Sequence, residues 1–147
     1  MLTKFLQLFN PLPGNQYLHV SQKKNEISRA LEVLLEDVGG KLNIELYNQE
    51  NLSFSQPFRA LPRDHDIVIL QDVFSLHVNP SMLLKISYRT LANTAEIIIL
   101  EKKGVLDIEK VKETLEAHEF RTPNFIDILD GYDIIVAKKM HMWGNGL

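Results

Sequence analysis

The sequence predicts an α/β three-layer sandwich: an open, mostly parallel sheet covered by helices, with an antiparallel C-terminal strand. Three observations predict it. Strand-like and helix-like segments alternate along the chain. Two short runs, Asp66 to Leu70 (DIVIL) and Glu96 to Leu100 (EIIIL), are continuously apolar and β-branched. Strands buried on both faces of a parallel sheet read this way. The last two strand-like runs flank Asp130-Gly131, a tight hairpin signal. At 147 residues, with no linker or internal repeat, the chain is expected to form one domain over 1–147.

Residues 1–14 form an N-terminal helix and its break. Leu2, Phe5, Leu6 and Phe9 fall at i, i+3, i+4 and i+7, one face of an amphipathic helix, and Pro11, Pro13 and Gly14 end it. A helix capping the domain's own core is the first reading, and a self-association helix is the alternative. The segment holds one basic residue and no small-residue cleavage site, so it is a poor signal peptide. A cytoplasmic protein is expected.

Tyr17 to Ser21 is a short strand. From Asn25 to Val38, Ile27, Ala30, Leu31, Leu34, Leu35 and Val38 keep helical spacing, and Gly39-Gly40 ends that helix by admitting positive φ. Lys41 to Asn48 sets Leu42, Ile44 and Leu46 against Lys41, Asn43 and Glu45, a strand near a sheet edge. Gln49 to Asp64 is polar, contains Pro57 and Pro62, and reads as a long loop with one short strand at Phe58 to Leu61. After DIVIL, Asn79 is a good N-cap and Pro80 a good first helical residue; Leu83, Leu84 and Leu91 supply that helix's core face. Gly104 turns the chain after EIIIL, and Asp107 caps a helix with Ile108, Val111, Leu115 and His118 on one face. Phe125 to Leu129 and Tyr132 to Lys138 close the sheet.

Composition narrows the chemistry. Apolar residues make up 45% and charged residues 24%, ordinary values for a globular chain. With no cysteine, disulfides, thiolate metal sites and a cysteine nucleophile are excluded. Sixteen basic against nineteen acidic residues give a net charge of −3, so nucleic acid is not indicated as a partner. No apolar run approaches the ~20 residues of a membrane span. No Gly-x-Ser-x-Gly elbow and no phosphate-binding Gly-x-x-x-x-Gly-Lys-Ser/Thr loop occur. Five histidines, His19, His65, His77, His118 and His141, lack the i, i+4 pairing of a helical zinc motif, so no metal site is predicted. The basic pairs Lys23-Lys24, Lys102-Lys103 and Lys138-Lys139 read as solvated ends of elements; on one face they would instead meet phosphate. Met140, Met142 and Trp143 follow the last strand and would cover an apolar face or build a homodimer interface.

In an open α/β sheet, ligands bind outside the carboxyl ends of the strands. Asp72 lies just past a buried strand there. It would act as the catalytic base or contact a ligand; alternatively, neighbouring backbone N–H groups hold it. Gln71 beside it is either a ligand contact or a polar strand end. His19, at the exit of the first strand, is the histidine placed to face the cleft.

The stretch DIVILQDVFSLHVNPSMLLKISYRTLANTAEIIILE, from Asp66 to Glu101, resembles the second half of the class I S-adenosylmethionine-dependent methyltransferases. Asp66, Asp72, Pro80, Leu84, Arg89, Leu91 and Glu101 hold the matching positions, LEAHEF resembles that family's helix ending in Gly-Phe, and YDIIVAKK its antiparallel last strand. The resemblance implies a methyltransferase-like Rossmann fold with S-adenosylmethionine as cofactor. Ser21 and Gln22 would line the first loop, with His19 beside them. Glu50 would reach the ribose, and Gln71 and Asp72 would line the substrate side. The departures are specific. The family's glycine-rich loop is here His19-Val20-Ser21-Gln22-Lys23-Lys24-Asn25, without glycine, and its Pro-Gly-Gly turn is Asn93-Thr94-Ala95. Glycine lets a backbone approach a cofactor closely, so weak or absent S-adenosylmethionine binding is predicted. At 147 residues the chain is also short for that family.

Two functions follow. One is a non-catalytic methyltransferase-like scaffold that serves a protein partner or self-associates. The other is an active small methyltransferase of unknown substrate. A response-regulator receiver, with Asp72 as phosphate acceptor and Lys102 as switch lysine, is rejected: Tyr17 to Ser21 supplies no acidic pair for magnesium, and the antiparallel finish is wrong for it.

Overall fold

The computed structural model describes residues 2–47, 61–77 and 80–139. The elements are α1 (Thr3–Leu6), β1 (Gln16–Ser21), α2 (Glu26–Glu36), β2 (Lys41–Leu46), β3 (His65–Gln71), α3 (Pro80–Thr90), β4 (Leu91–Lys102), α4 (Ile108–Ala117), β5 (Phe120–Ile126) and β6 (Tyr132–Lys139). They build one six-stranded sheet in the order β2-β1-β3-β4-β6-β5. β1 pairs parallel with β2 and β3, and β3 with β4; β6 runs antiparallel between β4 and β5. This is the open, mostly parallel sheet with an antiparallel C-terminal strand that the sequence predicts. The two continuous apolar runs are the adjacent central strands β3 and β4, and the alternating β2 is an edge.

Each face of the sheet carries its own core. α1, the segment after it and α2 cover one face through Phe5, Phe9, Leu31 and Leu35, packed on Tyr17, Ile69 and Ile98. Leu83, Leu84, Val111 and Leu115 of α3 and α4 cover the other, on Val68, Leu70, Ile97 and Ile99. The N-terminal face therefore caps its own domain. Phe5 and Phe9 are buried, with ring centroids 5.2 Å apart, and Phe9 lies 5.7 Å from Tyr17. α1 itself is a single turn. α2 starts at Asn25, whose side chain accepts from the Ile27 and Ser28 N–H groups while Ser28 Oγ accepts from Asn25 N–H. Gly39 (φ +67°) turns the chain out of α2, and a Cβ on Gly40 would stand 2.6 Å from the Asn15 carbonyl oxygen.

Several boundaries differ from the sequence expectation. Leu91 belongs to β4, which leaves α3 without a loop. The pairing skips from His65↔Leu91 to Ile67↔Glu96, so the intervening residues bulge, and Thr94 adopts φ +68°. β5 runs from Phe120 rather than Phe125, because fully buried Phe120 pairs with Lys139 at the strand's start. Pro123 sits at a register shift on an edge strand, where its missing N–H removes no ladder bond. Leu129 is buried in the connection, not in a strand, and Tyr132 N–H bonds to its carbonyl around Gly131 (φ +82°). The hairpin link is thus residues 127–131, longer than two. Phe58 to Ala60, Asn79 and Met140 to Trp143 lie outside the described residues.

Candidate functional site

The strand order reverses between β1 and β3, and a cleft of about 660 Å³ opens there at the carboxyl ends of the parallel strands. Ser21 and Gln22 reach it from the turn after β1, Gln71 and Asp72 from the end of β3, Glu101 and Lys102 from the end of β4. Tyr132 joins them because β6 is antiparallel: its first residue is in register with Lys102, the last of β4.

A chain of side-chain hydrogen bonds links the buried floor to the cleft. His19 is fully buried below it, 2.7 Å from Gln71 Oε1 through Nε2 and 3.1 Å from Ser28 Oγ through Nδ1. Burial lowers its pKa, with the Gln71 contact partly opposing. The ring is therefore neutral: Nε2–H donates to Gln71, and Nδ1 accepts from Ser28. Gln71 Nε2 donates to Tyr132 Oη at 3.4 Å, and the Tyr132 hydroxyl donates to Asp72 Oδ2 at 3.4 Å. Burial raises the Tyr132 phenol pKa; the Gln71 amide opposes this and the Asp72 carboxylate adds to it, so the hydroxyl keeps its proton. Hydrogen bonds in series polarise one another.

Asp72 ends β3 in the left-handed region, at φ +55°. Such backbone costs about 1–3 kcal/mol and recurs at functional sites. Its N–H donates to the Leu100 carbonyl, and its Oδ1 accepts from Lys102 N–H at 3.2 Å, so it ties the ends of β3 and β4 together. One backbone N–H therefore holds Oδ1 of this carboxylate while the residue still lines the cleft. Glu101 is almost fully buried and accepts from Ser75 N–H at 3.1 Å and Ser75 Oγ–H at 2.9 Å. Burial raises its pKa against the pull of those bonds.

The first loop crosses the point where the strand order reverses. Gln22 Nε2 donates to the Asp72 carbonyl at 2.8 Å, joining the turn after β1 to the end of β3. Asn25 Nδ2 lies 3.1 Å from Gln71 Oε1 and 3.3 Å from Ser21 Oγ, which donates to the Lys23 carbonyl. Among the residues singled out from sequence, Ser21, Gln22, Gln71 and Asp72 thus converge on the cleft. His19 lies under it and acts on it through Gln71. Glu50 is outside the described residues.

Other sequence candidates separate. His65 starts β3 and His77 follows its far end, so the two stand at opposite ends of the sheet. Burial lowers the His65 pKa, opposed by Asp64 and Asp66, and its ring sits between Asn43 Nδ2 and Thr90 Oγ1, both at 2.8 Å. His118 ends α4, bonded to the Thr114 carbonyl. No group of three or more potential metal ligands occurs among the described residues. Lys139 is a correction. The sequence places it at a solvated strand end, yet it is buried, with Nζ 2.8 Å from both the Tyr88 and Leu91 carbonyls and 4.5 Å from the Tyr88 ring centroid. Of the three basic pairs, Lys23 and Lys102 share the cleft, as the phosphate alternative requires; Glu101 enters the sequence reading only as a position matching the family, and Tyr132 and Ser75 carry no site reading there. The antiparallel last strand, whose start must fall at the carboxyl ends of its parallel neighbours, is the signal that locates Tyr132.

This fold is that of the class I S-adenosylmethionine-dependent methyltransferases. A SAM-dependent methyltransferase from Aquifex aeolicus superposes with TM-score 0.70 at 17% identity, over 93% of this chain and 88% of that one. A putative methyltransferase from Bacillus halodurans gives 0.67 at 11% identity, over 96% of this chain and 99% of that one. A third, a complex between the Haloferax volcanii Trm112 methyltransferase activator and a putative methyltransferase, gives 0.67 at 10% identity, over 94% and 88%. These identities establish likeness of fold. No family model matches the sequence, and no curated protein matches it. No described helix is long and apolar enough to cross a membrane.

Proposed function

We propose that this chain is a methyltransferase-fold binding protein whose cleft is bridged by its own side chains at the turn where a glycine-rich cofactor loop would lie. It would serve as a non-catalytic scaffold for a protein partner or a second copy, in the cytoplasm. The observation that carries this reading is the 2.8 Å bond from Gln22 Nε2 to the Asp72 carbonyl, which spans the reversal point of the strand order. A glycine-rich turn would leave that space to a ligand. Here Gln22 bonds to the Asp72 carbonyl, and Asn25 bonds to Ser21 and Gln71, so the turn is tied across to the end of β3 while the cleft beyond it stays open. A solved neighbour in complex with an activator protein supports a partner-dependent role for the fold. Residues Met140 to Trp143, outside the described region, are our candidate for the self-association surface.

The second reading, an active small methyltransferase, is favoured by Asp72. Its left-handed backbone, its Tyr132 partner and its place beside an open cleft suit a group that contacts substrate. Calorimetric titration with S-adenosylmethionine and S-adenosylhomocysteine separates the two. The scaffold reading expects no saturable heat with millimolar ligand; micromolar binding of either compound overturns it and leaves the enzyme reading.

A further inference from the structure

Two pairs of adjacent lysines stand at the cleft, Lys23-Lys24 on the turn after β1 and Lys102-Lys103 at the end of β4. In each pair the second lysine is engaged elsewhere. Lys24 Nζ lies 3.5 Å from Glu32 Oε1, and Lys103 Nζ 3.1 Å from Asp127 Oδ1. The first lysine of each pair lines the cleft. Neither Lys23 nor Lys102 has an ion-pair partner among the described residues.

The carboxylates of the same cleft are differently placed. Glu101 accepts twice from Ser75, and Asp72 accepts from Lys102 N–H and the Tyr132 hydroxyl. The cleft's own donors thus already serve its acceptors, whereas its two ammonium groups have donors to offer. Beside them is an apolar lip: Leu76 and Val105 line the cleft at 51% and 53% exposure. Large apolar side chains left that open beside a polar concavity gain most by covering a ligand's apolar part.

We propose that the cleft binds a small organic anion, a carboxylate or phosphomonoester held between Lys23 and Lys102, with its apolar body against Leu76 and Val105. The volume of about 660 Å³ suits a metabolite-sized ligand. Nucleic acid is the less favoured anion, since the chain carries a net charge of −3 and the cleft offers two free cations.

The test is an NMR titration of the intact chain with phenyl phosphate, benzoate and, as neutral control, phenol. Phenyl phosphate or benzoate, or both, should shift amides of residues 21–25 and 101–105 saturably, and phenol should not. The arm that binds more tightly identifies the head group. In a Lys23→Gln/Lys102→Gln variant the affinity should fall about tenfold or more, since charge-assisted bonds are lost. A Lys24→Gln/Lys103→Gln variant should stay within about twofold of the parent, because those lysines answer other carboxylates. All four lysines are exposed, so both variants should fold, and thermal unfolding checks that they do. The proposal is overturned by any of four results: no saturable shift with either anion at millimolar concentration, equal binding of phenol, unchanged affinity in Lys23→Gln/Lys102→Gln, or binding of a single-stranded oligonucleotide without phenyl phosphate. A positive S-adenosylmethionine titration would overturn the bridged-turn, non-catalytic reading alone and leave the anion site standing.

Discussion

The two ends of the sheet use the same polar residue types differently. At the amino ends of the parallel strands three polar side chains have fixed partners: His65 lies between Asn43 and Thr90, Asp66 accepts from Gln16 N–H at 2.8 Å, and Lys139 closes the last turn of α3. At the carboxyl ends, Lys23 and Lys102 point at a cleft without an ion-pair partner among the described residues. A buried lysine held by two carbonyls is architecture, and an exposed lysine beside a concavity is available to a ligand. The difference teaches that residue type alone does not mark a site here; the degree to which hydrogen-bonding capacity is already met does.

The largest expected effect breaks that contrast from the amino end. Lys139→Ala would orphan the Tyr88 and Leu91 carbonyls and should cost about 2 kcal/mol or more, whereas Lys102→Ala should stay within about 0.5 kcal/mol. Urea midpoints compare the two directly.

Acidification comes next. Burial lowers the pKa of both His19 and His65, so below about pH 6.5 the unfolded chain takes up protons that the folded chain refuses. Stability should therefore fall as pH drops from 7 toward 5. Glu101, whose pKa is raised, acts in the opposite sense, gaining stability as pH falls through its folded value. His65→Asn should be less stable than the parent at pH 7 yet lose less between pH 7 and pH 5, as read from urea unfolding at both. An unchanged loss in that variant would remove His65 from this account.

Smaller still is Tyr132→Phe, which removes the hydroxyl between Gln71 and Asp72 and should cost about 1 kcal/mol. The smallest is Lys24→Gln/Lys103→Gln: these exposed ion pairs should contribute less than about 0.5 kcal/mol each, within error by thermal unfolding.

Much of the fold was legible because its causes are local. The β-branched runs of β3 and β4, the Asp107 cap and the Pro80 helix start each announce themselves within a few residues. What was not legible depends on long-range pairing. Phe125 reads as the start of β5 until the pairing of Phe120 with Lys139 is known, and Leu129 reads as strand until its burial in a turn is seen. His19 sits in a strand buried on both faces, so no alternation shows that it lies beneath the cleft rather than in it. Gln22 reaches Asp72 across 50 residues, and Tyr132 reaches it across 60, contacts that only the sheet order creates.

Whether the turn after β1 stays bridged to the end of β3 by this chain's own side chains is tested most directly at Gln22. The side-chain amide resonances of Gln22 and Gln71 can be followed while S-adenosylhomocysteine is added to millimolar concentration. If Gln22 keeps its bond to the Asp72 carbonyl, both resonances stay in place throughout. A saturable shift of both at micromolar ligand would contradict this reading, because it would show the Gln22 bridge giving way to the cofactor.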